Sequence, residues 1–144
     1  VLSISTAPFV DPVKRRVAAS QLEEPMRYLI LIYEEDSANP SPEPPPPGVI
    51  EAQTAAYNAY SQMLRDRGAF IGGEALQPVT AATTVRVRDG QTMTTDGPFA
   101  ETKEALGGYY LIEAADLDEA LEFAAACPGA QYGSIEVRPI LDFG

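Results

Sequence analysis

The chain has 144 residues, 45% of them hydrophobic, and a formal net charge of −11. That length suits one globular domain with a real core, and the acidity argues against a nucleic-acid partner, since phosphate binding needs clustered Lys and Arg. Histidine is absent and cysteine occurs once. These counts exclude Ser-His-Asp and Cys-His catalysis, an intrachain disulfide and a Cys-based zinc cluster, and leave proton transfer to carboxylates, Lys or Tyr.

Residues 1–25 carry Pro8, Pro12 and Pro25, the basic cluster Lys14-Arg15-Arg16, and no sustained period. Their positive charge follows the apolar start Val1-Leu2-Ser3-Ile4, the reverse of a secretory signal. The segment reads as a flexible N-terminal extension, with a natural start at Met26 and the folded domain over 26–144. No run approaches the roughly 20 apolar residues of a membrane span. The reading is a cytoplasmic protein without a membrane partner.

Arg27 to Tyr33 is a nearly continuous apolar run, as in a central strand buried on both faces, and Glu34-Glu35-Asp36 ends it at the surface. The six prolines between Asn39 and Gly48 impose an extended surface segment. From Val49 to about Arg67 the residues Ile50, Ala56, Tyr57, Tyr60, Met63 and Leu64 recur at helical steps, and Gly68 stops the helix. A second strand covers Phe70 to Leu76. Its Gly72-Gly73 pair implies a bulge or a close approach by another group.

Thr83 to Thr95 reads as a hairpin turning at Asp89-Gly90, which sets Arg86 opposite Met93 and Val87 opposite Thr92. Another strand runs from Gly107 to Glu113. Asp116 caps a helix to about Cys127, with Glu119 completing a capping box and Leu117, Leu121 and Ala124 marking the inner face. Ser134 to Ile140 is the last strand, and Pro139 places its end at an edge.

Strand, helix, strand, inserted hairpin, strand, helix, strand is the order of an α+β ferredoxin-like layer. One sheet face is left open in such a layer, and a second copy of the chain is the economical cover. The expectation is a symmetric homodimer of the dimeric α/β-barrel type.

Asp96-Gly97-Pro98-Phe99-Ala100-Glu101-Thr102-Lys103-Glu104, followed by Gly107-Gly108-Tyr109-Tyr110, is the densest stretch of constrained backbone and charge in the chain. Gly97 precedes a proline and accepts a positive φ. Phe99 is expected to plug into the core and hold the loop, which would fix the direction of the Asp96 carboxylate as a catalytic base requires. The other role open to Asp96 is bonding to the amides of its own turn. Glu74 follows two glycines within a strand. It is a second candidate base, unless it pairs with Arg86 or Arg138.

These residues carry a resemblance. Met26-Arg27-Tyr28-Leu29-Ile30-Leu31-Ile32-Tyr33, Gly72-Gly73-Glu74-Ala75-Leu76-Gln77-Pro78 and Thr83-Thr84-Val85-Arg86 resemble the YCII-related family. The Asp96–Glu104 string, Gly107-Gly108-Tyr109-Tyr110 and Glu136-Val137-Arg138-Pro139 resemble its DGPF-type branch. The resemblance implies a ferredoxin-like fold, a dimer and a cleft near the motif. Many members are encoded beside extracytoplasmic-function sigma factors. The wider family includes a proposed His-Asp pair and a dehydrochlorinase of hydroxylated aromatics. A chain without histidine cannot carry that pair.

Two functions are open. One is a cofactor-independent acid/base enzyme, of isomerase or lyase type, for a small organic acid or phenol. In it Asp96, Glu74 and Tyr109 are the catalytic candidates, Arg86, Lys103 and Glu101 bind the substrate, and no metal takes part. The other is a non-catalytic ligand-binding or regulatory module tied to sigma-factor control. Cys127, at a helix C-terminus without a positive field, is expected to be inert.

Overall fold

The structure is a computed structural model that describes residues 24–143. The expected N-terminal extension therefore lies almost wholly outside the described residues. Six strands form: β1 (Met26–Glu34), β2 (Phe70–Ala75), β3 (Thr83–Arg88), β4 (Gln91–Asp96), β5 (Ala105–Ala114) and β6 (Ser134–Pro139). Three α-helices accompany them: the single turn α1 (Glu35–Ala38), α2 (Val49–Asp66) and α3 (Leu117–Ala126).

Four strands make an antiparallel sheet in the order β2-β5-β1-β6, the ferredoxin-like arrangement. The apolar run of β1 takes a central place because it has side chains to bury on both faces. Its Tyr28, Ile30 and Ile32 meet Tyr110, Ile112 and Ala114 of β5, Tyr60 and Leu64 of α2, and Ala120, Phe123 and Ala124 of α3 in one core. The opposite face carries Leu29, Leu31 and Tyr33 beside Leu111 and Tyr109, as strict alternation requires. Among the described residues no helix is long and apolar enough to cross a membrane.

β2 contains both features that adjacent glycines imply. Its register with β5 slips between Phe70 and Gly72, and a Cβ on Gly73 would lie 2.8 Å from the Tyr109 carbonyl oxygen. β6 pairs with β1 alone, so its proline falls at an edge. Asp116 caps α3 by accepting from the Glu119 amide, and Glu119 in turn accepts from the Ala115 amide.

β3 and β4 form a separate two-stranded ribbon with Arg86 opposite Met93 and Val87 opposite Thr92. Its turn uses positive φ at both Asp89 (52°) and Gly90 (74°), the geometry that matches strand twist. Gly97 then takes φ 95°, and its amide donates to the Ala82 carbonyl.

Three expectations about burial fail. Phe99 is 79% exposed and does not plug the core, because the ribbon that delivers its loop offers no buried face for it to enter. On α3 the inner positions are Ala120, Phe123 and Ala124, whereas Leu117 and Leu121 are about half exposed. On α2 only the C-terminal half is sealed: Tyr60 and Leu64 are buried, but Ile50 and Ala56 are exposed. The first turns, Glu51-Ala52-Gln53-Thr54-Ala55-Ala56, hold no large apolar side chain that could reach the sheet.

Truncating the core should be costly where truncating the loop aromatic is not. Ile112→Ala is expected to lose about 2–5 kcal/mol in urea unfolding, as deep large-to-small changes do. Phe99→Ala should stay within about 0.5 kcal/mol of wild type, the range of exposed substitutions.

Candidate functional site

Where α2 lifts from the sheet, a cavity of about 850 Å³ remains between its N-terminal half and the ends of β1, β2 and β5. The volume suits a small organic ligand. Tyr57, Ser61 and Arg65 line it from the helix, Glu34 and Tyr110 from the sheet, and Gly129 from the 3-10 turn Pro128–Gln131.

The acid partly buried in this cavity is Glu34. Tyr28, Ile30 and Ile32 point to the helices at a period of two, and Glu34 continues that row one step beyond the apolar residues. It is half-buried, and the Tyr57 hydroxyl donates to its Oε1 at 3.5 Å. Burial pushes its carboxyl above the ordinary glutamate range. The Tyr57 hydrogen bond partly offsets that rise, and the charge of Asp36 adds to it.

The space around Glu34 depends on glycines. A Cβ on Gly129 would lie 2.8 Å from Tyr57 Oη, 2.9 Å from Ile32 Cγ2 and 3.2 Å from Glu34 Oε1. A Cβ on Gly107 would lie 2.5 Å from Ser37 Oγ and 3.6 Å from Glu34 Oε2. A side chain at Gly129 would press on Tyr57, Ile32 and the carboxylate, and one at Gly107 would displace Ser37 beside it.

The remaining walls are largely apolar, with hydroxyls set among them. Ser61 Oγ and Tyr110 Oη are hydrogen-bonded at 2.9 Å, and the Tyr110 ring stacks edge-on against Tyr60 with centroids 5.2 Å apart. The Tyr60 hydroxyl donates to the Phe123 carbonyl at 2.6 Å, which ties α2 to α3 below the cavity. Burial pushes the Tyr57 phenol up, with Cys127 and Glu34 adding to the effect, so it stays protonated as a donor. Cys127 is 1% exposed and burial raises its thiol, so it is no nucleophile, as its position implied.

The sequence candidates are divided. Glu74 and Tyr109 face each other across β2 and β5 and border the cavity. Their alternation with Gly73 and Tyr110 turns their side chains toward the other sheet face. Glu101 and Lys103 line a second, smaller hollow of about 510 Å³ with Gly97, Pro98, Asn39 and Thr80.

Asp96 and Arg86 line neither hollow. Asp96 is exposed at the end of β4, and Arg86 reaches the Phe99 carbonyl at 3.5 Å. Arg138 is paired with Glu136, so neither arginine engages Glu74. Among the described residues no three His, Cys, Asp or Glu side chains come together as a metal site.

Glu34 and the three residues of α2 are what sequence reasoning missed. Two signals were available: the period-two row that ends on Glu34, and the spacing Tyr57, Ser61, Arg65 at successive turns of one helix face.

Sheet, helices and hollow define an α+β domain of ferredoxin-like topology with a ligand-sized space between sheet and helix. The chain belongs to the YCII-related domain family, whose model matches residues 26–144. It is similar to an uncharacterized protein of Rhizobium meliloti (strain 1021), with 57% identity over 67 residues. That match covers 45% of this chain and 54% of the relative, so the chain spans about half the length of the curated relative it matches.

The raised Glu34 carboxyl has a stability signature. The folded state holds this proton to higher pH than the unfolded chain does. Stability from the group is therefore complete below the ordinary glutamate range and falls as pH rises through that range toward the raised value. Glu34→Gln removes this loss. Its melting temperature should gain on wild type as pH rises through and above the ordinary glutamate range, a trend readable by thermal melts across pH.

Proposed function

We propose that this protein binds a small organic acid or phenol in the cavity beneath α2 and acts on it by proton transfer, with Glu34 as the acid/base group. The single observation that carries this reading is a half-buried carboxyl, raised above its ordinary range, lining an open cleft of ligand size. A carboxyl whose proton affinity is raised is a stronger base, once ionised, than an exposed glutamate. Tyr57 orients it by donating its hydroxyl hydrogen. Glu34 takes the place expected for Asp96, whose exposed position leaves it outside that cleft.

The proton-transfer step needs no cofactor. The ionised Glu34 removes a proton from a carbon next to a carbonyl or phenolic system. The charge that develops on the substrate oxygen is met by the hydroxyl hydrogen that the Ser61–Tyr110 pair leaves free. Return of the proton at a different carbon makes the protein an isomerase, and departure of a leaving group makes it a lyase.

A second copy of the chain completes the assembly in this reading. Support comes from Leu29, Tyr33, Tyr109 and Leu111, which are only half-buried in the single chain on the sheet face opposite the core helices. Leu111→Glu is expected to convert a dimer into a monomer in light scattering coupled to gel filtration. A wild-type chain that runs as a monomer would remove the proposed partner.

Proton abstraction is measurable without knowing the product. Small carboxylic acids and phenols incubated with the protein in D₂O should exchange a carbon-bound hydrogen for deuterium, followed by proton NMR. Glu34→Gln should slow that exchange about 10²–10⁴-fold, the usual range for a lost general base. Asp96→Asn should leave it within a few-fold of wild type. Exchange that survives Glu34→Gln, or is abolished by Asp96→Asn, overturns the assignment. Binding without exchange of any compound favours the ligand-sensing module instead.

A further inference from the structure

We infer that Arg65, with the Ser61–Tyr110 hydroxyl pair one helical turn away, forms an anion-recognition end of the cavity, so that the ligand is an organic monocarboxylate whose neutral end faces Glu34. The inference rests on the cavity being the functional site, and it chooses the organic acid over the phenol.

Tyr57, Ser61 and Arg65 stand at i, i+4 and i+8 on one face of α2, about 6 Å apart along the axis at each step. Each meets a different part of the sheet. Tyr57 is bonded to Glu34, Ser61 is bonded to Tyr110 Oη at 2.9 Å, and the Arg65 guanidinium lies 4.3 Å from the centroid of Phe70. The two charged ends of the cavity are thus separated along the helix by about 12 Å, with the neutral hydroxyl pair between them. A single aromatic or short aliphatic acid fits that interval.

Arg27, Arg86 and Arg88 also lack an ion pair among the described residues, but Arg65 is the arginine that lines the cavity. Arg67 pairs with Glu119 and Arg138 with Glu136, and the exposed Arg86 and Arg88 bond to backbone carbonyls. Among the described residues Arg65 makes no ion pair, although the chain holds 21 Asp and Glu. What positions it is an aromatic ring, which leaves the N–H edges of the guanidinium available for a carboxylate. Burial raises the Tyr110 phenol, the Ser61 hydrogen bond and, more weakly, the Arg65 charge offset part of that rise, and Arg65 and the hydroxyl pair line the same cavity. Glu34 at the far end repels a second negative charge. That arrangement selects a monoanion.

The test uses benzoate and its neutral isostere benzamide, titrated into the intact protein and followed by calorimetry and by amide NMR shifts of Gly73, Phe70 and Tyr110. Wild type should bind benzoate at least about tenfold more tightly than benzamide, the effect of one charge-assisted hydrogen-bonded pair. Arg65→Gln should erase that preference while benzamide binding persists, and Arg65→Lys should restore part of it. Terephthalate should bind more weakly than benzoate to wild type, and Glu34→Gln should relieve that penalty.

Equal affinity of wild type for benzoate and benzamide, an unchanged preference in Arg65→Gln, or no binding of benzoate overturns the inference. Failure here is separable from failure of the proton-transfer reading. A preference for benzoate that persists in a protein without exchange activity upholds the anion site alone. Exchange on phenols without any carboxylate preference upholds Glu34 alone.

Discussion

The strand β1 is hydrogen-bonded on both edges and packed against the helices on one face, and the position of nearly everything else follows from it. Its inward row of Tyr28, Ile30 and Ile32 anchors both long helices. A strand in that position cannot tilt or slip, because a one-residue shift would exchange its core side chains for those of the other face. Glu34 is the next member of the same row. The precision with which the carboxyl is held is therefore inherited from the apolar packing of its own strand, and not from the loops around it. This is what a proton-transfer group needs, since small displacements of such a group are expensive in rate.

The second requirement is empty space beside that carboxyl, and it arises from a division within α2. Tyr60 and Leu64 fasten the C-terminal half of the helix to the core, and the Tyr60 hydroxyl bonds across to α3. The preceding turns contain alanines, threonine and glutamine, too short or too polar to bridge to the sheet. A cavity results without a break in the helix. Gly107 and Gly129 enlarge it around Glu34 by withholding side chains where even one carbon would collide.

Much of this was legible from the sequence. The hydrophobic run of β1, the Asp89-Gly90 turn and the cap at Asp116 each have a local physical cause, and each stands where that cause puts it. Burial was less legible, because it depends on partners that no window of sequence contains. Phe99 sits in a motif dense with constrained residues, yet the loop is carried on an exposed ribbon and nothing lies beneath it. Glu34 was hidden by its neighbours: three acids in a row read as a solvated strand end, and only the parity of the first distinguishes it. The pairing of Gly107 with Ser37 and of Gly129 with Tyr57 joins segments far apart in the chain, so those glycines gave no local sign of their purpose.

The division within α2 also bears on how such a protein can change its ligand. Ala52 and Ala56 face the hollow and contribute little to the sealed core, whereas Tyr60 and Leu64 do the reverse. Bulk added at the first pair would narrow the chamber without loosening the fold, and bulk removed at the second would loosen the fold without reshaping the chamber. Selectivity and folding are thus adjustable on separate turns of one helix. On the proposed reading, a lineage built on this scaffold can move between ligands of different size while Glu34 and the architecture stay fixed.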